Sequence, residues 1–157
     1  MDLSSINPVL LIASLMVSAT PILLAALGEL VVEKSGVLNL GVEGMMITGA
    51  ICGFAIGVNT GSPVLGFMFS ALCGALLSLA FGILTQYLLS NQVATGLGLT
   101  LVGLGLSSLI GKPYEGIKSP TLQKMELPLL SDIPIFGKML FSHDPMVYFS
   151  VALVAAV

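Results

Sequence analysis

Residues 28–49, GELVVEKSGVLNLGVEGMMITG, hold Glu29, Glu33, Lys34, Asn39 and Glu43 between two long apolar runs. Side chains of these types bind polar solutes, carry charge or cap helices. They do not make a hydrolytic centre, because that needs a nucleophile, a base and an orienting group in mutual reach. His143 is the single histidine, set in a proline-rich stretch with no second His or Cys nearby, and it reads as a surface residue. HExxH, CxxC and Walker A patterns do not occur. No catalytic residue, metal site or cofactor is therefore expected, and the chain is not expected to be an enzyme. Gly96, Gly98, Gly103 and Gly105 imitate a phosphate loop, but a dinucleotide fingerprint needs a preceding strand and a βαβ unit. They read instead as packing glycines.

Asn39, Gly41, Glu43 and Gly44 are the candidates for lining a polar substrate path, since ionisable groups within apolar spans mark functional sites by default. A structural role competes with that one. Asn39 stands just before an apolar span and is placed to cap its free amides. Glu43 falls in the first turn of that span, where the helix dipole favours a carboxylate. Glu29 and Glu33 lie four apart on one helical face, where like charges repel slightly. They read as interfacial, with Lys34 as a counter-charge.

The elements that must position these residues are membrane spans. Charged residues are only 8% of the chain, apolar residues 56%, and mean hydropathy is +1.08, whereas soluble domains carry about 25% charge. A chain of this size could not bury so much apolar surface and keep a wettable exterior, so its solvent is the lipid bilayer. There is no Arg and no basic run, which excludes nucleic acid as a partner. Cys52 and Cys73 fall inside apolar runs and read as small packing residues. The expected spans are about 9–27, 42–58, 64–89 and 93–110, with a loop over 112–145. Polar sequence placed between spans must face protein or a wet cavity, because lipid cannot satisfy freed backbone groups.

Thr20-Pro21 lies within the first span, where proline removes a backbone hydrogen bond and favours a kink. The N-terminus lacks the basic n-region of a signal peptide, so that span is expected to be retained. Gly49, Gly53, Gly57 and Gly61 recur every four residues on the second span. Gly66, Ser70, Gly74, Ser78 and Gly82 do so on the third. Small-residue stripes let helix backbones approach closely in lipid. Gly49, Gly53, Gly57, Gly74 and Gly82 are accordingly expected to pack a tight helical hairpin. The prolines of 112–145 forbid a long helix there, and the apolar patches 127–130 and 133–136 are expected to fold back onto the protein or the interface. A fifth span starts at Met146 and reaches Val157 after about 18 Å, too short to cross. That stretch reads as an incomplete span of a longer single transmembrane domain.

The wording SGVLNLGVEGMMITGA over 35–50, preceded by TPILLAALGEL over 20–30 and followed by SNQVATGLGLTLVGLGLSSLIG over 90–111, resembles a known family. This is the membrane-spanning permease of bacterial ABC importers in the ribose, branched-chain amino acid and nucleoside group, and the wording is nearest to its simple-sugar and nucleoside members. The resemblance implies an all-α, polytopic helical bundle, the N-terminal part of a permease in the cell membrane. It implies that a nucleoside or simple sugar is moved by alternating access. The implied partners are cytoplasmic ABC ATPase subunits, a second permease subunit, identical or different, and an extracytoplasmic substrate-binding lipoprotein. The helix that docks on the ATPase follows the fifth span in this family. The resemblance also places the N-terminus and 112–145 outside the cell, whereas a count of lysines alone would put that loop in the cytoplasm. Alternatives are an ABC permease for branched-chain amino acids, an ion-coupled secondary transporter, whose broken helices also bind substrate at mid-membrane, and a membrane scaffold that moves nothing.

Overall fold

The computed structural model describes residues 8–121, 125–126 and 142–157. The patches expected over 127–130 and 133–136 lie outside the described residues, as does the side chain of His143. The chain is a polytopic helical protein: among the described residues, four helices are long and apolar enough to cross a membrane. They are α1 (Pro8–Lys34), α2 (Val42–Thr60), α3 (Pro63–Gly82) and α4 (Gln92–Gly111). A π turn (Ile83–Tyr87) extends α3, a 3-10 turn (Lys112–Tyr114) extends α4, and a shorter helix α5 covers Pro145–Ala156. Met125–Glu126 (β1) pairs antiparallel with Ser142–His143 (β2).

Contacts divide the chain into two units, 1–28 with 122–157, and 29–121. In the first unit, Thr20 of α1 and Val147 and Ser150 of α5 are buried. Met16, Ala19, Leu23 and Val151 complete a shallow apolar groove with them. The hydroxyls of Thr20 and Ser150 donate to the carbonyls of Met16 and Val147, at 2.9 and 2.8 Å. Each small polar side chain is thus satisfied by its own helix and leaves its outer surface apolar.

The break between the first two helices is shorter than the 28–49 interruption expected from charge. Glu29, Glu33 and Lys34 lie on α1, which runs unbroken to Lys34, about 40 Å in all. It ends in a Schellman motif. Gly36 takes φ +83°, its N–H reaches the Glu33 carbonyl at 2.9 Å, and the Val37 N–H reaches Val32 at 3.4 Å. A left-handed residue at that position favours glycine. Charge alone did not mark the helix end, because three charged residues suit a helix's final turns as well as a loop.

In the second unit α2 is the central element, packed against α3 on one side and α4 on the other. Ser62 and Pro63 start α3 with a side-chain cap and a proline in the first turn, and Asn91 caps α4. Thr85 in the π turn donates to the Phe81 carbonyl at 2.8 Å. After it Leu89 is forced to φ +50°, which for a side chain with a Cβ costs about 1–2 kcal/mol. Leu89 is also 83% exposed, so little packing depends on it. Leu89→Gly is therefore expected to raise stability by about 1 kcal/mol. A thermal unfolding scan in detergent checks this, and a lower midpoint would show that the leucine makes a contact the strain argument ignores.

Candidate functional site: the segment linking the first two helices

The segment 35–41 leaves one helix and enters another. The amides of 35–37 bond back to α1 and the Gly41 carbonyl accepts from Met45; the polar backbone groups between them need other partners, which four side chains supply. The Leu38 N–H donates to Gln92 Oε1 at 2.8 Å, and the Asn39 N–H to Glu29 Oε1 at 3.3 Å. The Gly41 N–H donates to Asn39 Oδ1 at 3.0 Å, and the Thr100 hydroxyl donates to the Leu40 carbonyl at 3.2 Å. The segment is thus tied to the end of α1 and to the first half of α4.

Of the residues expected to line a path, Asn39, Gly41 and Gly44 are buried and Glu43 is exposed. Asn39 is 5% exposed, and its Nδ2 meets the Met45 sulfur at 3.6 Å. It does not cap α2 as expected. The cap residue is Gly41, without a side-chain cap, and Asn39 closes a turn one step earlier. The cause is that α2 starts at Val42, so an Oδ1 three residues back reaches only the amide of the cap residue itself.

Gly41 and Gly44 are sites of backbone contact. A Cβ on Gly41 would lie 3.1 Å from the Gly96 carbonyl, and one on Gly44 would lie 2.5 Å from the Leu99 carbonyl. Gly103 faces Gly44 in turn, backbone to backbone. Glu43 points away from this contact.

The remaining glycines divide by position. On the α2–α3 side, a Cβ on Gly49 would sit 3.0 Å from the Ser70 carbonyl, and one on Gly53 would sit 2.7 Å from the Gly66 carbonyl. A Cβ on Gly57 would lie 3.6 Å from Pro120 and 3.7 Å from the Gly66 Cα, and one on Gly74 would lie 3.8 Å from the Met45 carbonyl. A Cβ on Gly82 would meet no described residue within 4 Å, contrary to the packing role expected of it. It lies at the end of α3 where the π turn begins, beyond the reach of α2.

Three contributors were missed from sequence. Glu29, expected at the interface, is half-buried, and its Oε2 is buried with no hydrogen-bond partner among the described residues. Gln92, which reads from sequence as a turn residue, and Thr100 carry no charge to mark them, although their spacing of eight places both on one face of α4. At the opposite end of α2, the Tyr114 ring packs edge-on against Phe54 with centroids 6.1 Å apart, and its hydroxyl accepts from Asn59 Nδ2 at 2.7 Å. Side-chain contacts thus hold the chain at both ends of α2.

Comparison with known proteins assigns this architecture. The chain is 39% identical over 144 residues to TsgC13 of Haloferax volcanii, described as a glucose ABC transporter permease, covering 89% of this chain and 44% of that protein. It is 33% identical over 154 residues to the guanosine ABC transporter permease NupQ of Bacillus subtilis, covering 90% and 48%. It is 26% identical over 156 residues to the nucleoside ABC transporter permease NupC of Lactococcus lactis, covering 93% and 49%. The chain thus spans about half the length of the curated relatives it matches. No solved structure matches it. Residues 11–157 match the family described as branched-chain amino acid transport system / permease component, and with these relatives beside that match the chain belongs to this family of integral membrane permeases.

Proposed function

We propose that this chain supplies one part of the translocation path of an ATP-driven importer for a nucleoside or a simple sugar. The observation that carries the reading is the non-helical segment 35–41. Its backbone is held by side chains of α1 and α4, and it sits beside an exposed carboxylate, Glu43. Irregular backbone in a membrane protein needs protein or water to satisfy it, and a segment held by protein beside an exposed carboxylate suits the border of a solute path. On this reading Asn39, Gly41 and Gly44 set the position of the first turn of α2, and Glu43 presents its carboxylate to the hydroxyl-rich solute. A sugar or ribose offers several hydroxyl donors, which bind a carboxylate through strong charge-assisted hydrogen bonds.

The energy comes from partners: ABC ATPase subunits in the cytoplasm, a second permease subunit and a substrate-binding protein outside. The chain contributes no ATPase site of its own. The family description names branched-chain amino acids, but the relatives are described as glucose, guanosine and nucleoside permeases. Those names favour polyhydroxylated solutes. Cells carrying the importer are expected to take up labelled guanosine or glucose, and an excess of unlabelled leucine should not compete. Competition by leucine alone would move the substrate class to amino acids.

Glu43→Gln keeps the shape of the side chain and removes its charge. Loss of a charge-assisted hydrogen bond is worth about 1.5–3 kcal/mol, so uptake at low solute concentration is expected to fall at least tenfold while membrane abundance holds. Normal uptake at normal abundance would take Glu43 out of the path.

A further inference from the structure

We propose that Glu29 is a positioning residue, a releasable latch that fixes the segment 35–41 to the end of α1. The proposal rests on the translocation reading only for its effect on uptake; the latch itself stands on geometry.

The carboxylate is used on one side only. Oε1 accepts the Asn39 N–H at 3.3 Å, and Oε2 is buried with no donor among the described residues. Buried polar atoms are nearly always paired. A fully paired carboxylate would make a permanent joint, because opening it would leave several groups unsatisfied at once. A half-paired one gives up a single bond on opening and exposes an oxygen that gains a donor or water when it leaves. The other ties on the segment differ in kind. Gln92 holds the Leu38 N–H and Thr100 holds the Leu40 carbonyl, both from α4, while Asn39 bonds within the segment itself. Backbone bonds of Ser35, Gly36 and Val37 close the end of α1, so Glu29 is the α1 side chain that holds the middle of the segment, and releasing it leaves residues 38–41 tied from outside by α4 alone. A segment that trades its hold on one helix while keeping another is what a moving element next to a solute path requires.

The amide of Asn39 reports the latch directly. Hydrogen–deuterium exchange of the purified chain in detergent is expected to speed up at least tenfold at Asn39 in Glu29→Ala, with protection across α2 unchanged. Glu29→Gln retains a carbonyl acceptor and should stay within about threefold of the parent, since a neutral acceptor still holds the amide at a cost of about half the bond strength. In cells, Glu29→Ala should cut maximal uptake at least fivefold with little change in half-saturating solute concentration, because the latch governs movement and does not touch solute. Unchanged exchange at Asn39 in Glu29→Ala overturns the latch. General loss of protection across α2 overturns it too, by showing that Glu29 supports the fold at large. Faster exchange with unaltered uptake overturns the transport role. If the parent itself transports no nucleoside or sugar, the exchange result still decides the latch, so failure of the functional reading is told apart from failure of this one.

Discussion

Gly44→Ala is expected to cost about 2–3 kcal/mol and to lower the folded membrane population at least tenfold. The added Cβ would lie 2.5 Å from the Leu99 carbonyl and 2.6 Å from the Thr100 Cα. Both are backbone atoms of α4, so neither can swing aside as a flexible side chain would. The two helices must separate, and Gly103, which meets the Gly44 backbone from the other side, loses its contact as they do. In lipid no hydrophobic gain offsets this, because association depends on packing and hydrogen bonds. Separation also pulls the Leu40 carbonyl from the Thr100 hydroxyl, so the linking segment loses a tie. Gly98 and Gly105 on the same helix provide the control. A Cβ at either meets no described residue within 4 Å, and alanine is the better helix former by about 1 kcal/mol. Thermal unfolding in detergent should therefore drop sharply for Gly44→Ala and stay level or rise for Gly98→Ala and Gly105→Ala. Equal midpoints for all three would mean that α2 and α4 are not in contact at Gly44.

Gly53→Leu is expected to be at least as damaging on the other side of α2. Its Cβ alone would come within 2.7 Å of the Gly66 carbonyl and 2.8 Å of the Ser70 Cβ, and three more carbons follow. Gly66 approaches Gly53 just as closely in return, a Cβ there lying 2.7 Å from the Gly53 carbonyl. The α2–α3 interface has no slack for a leucine of either rotamer, and overpacking costs about 1–3 kcal/mol even where side chains can adjust. Membrane abundance and detergent stability should both fall, and Gly66→Ala should share the defect. Full stability of Gly53→Leu would show that this stretch of α2 and α3 separates freely in the membrane.

The helical, polytopic character was legible because hydrocarbon demands about 20 apolar residues per crossing, and charge is confined to a few stretches of this chain. The position of the break was harder to read. Charge pointed to all of 28–49, whereas the helix stops where Gly36 permits a left-handed turn. That signal is a single residue, easily lost among 18 glycines. The same abundance hid which glycines are in contact. Gly96 and Gly103 meet the backbone of the linking segment and of α2, while a Cβ on Gly98, Gly105 or Gly82 would meet no described residue within 4 Å. Recurrence along one helix shows a bare face but not which neighbour covers it. Burial of the charged residues followed tertiary placement too. Glu29 is turned inward and Glu43 outward, although both are flanked by apolar sequence. The polar partners Gln92 and Thr100 lie more than fifty residues from the backbone they satisfy, a distance no local pattern spans.

The most direct test of an ATP-driven permease is uptake of labelled nucleoside into cells carrying the importer, with its ATPase subunit intact or disabled. A proton uncoupler is added in parallel while ATP is maintained. The prediction is uptake that vanishes with the ATPase and withstands the uncoupler. Uptake that survives loss of the ATPase and collapses with the gradient would contradict it, and would make the broken backbone between α1 and α2 part of an ion-coupled carrier.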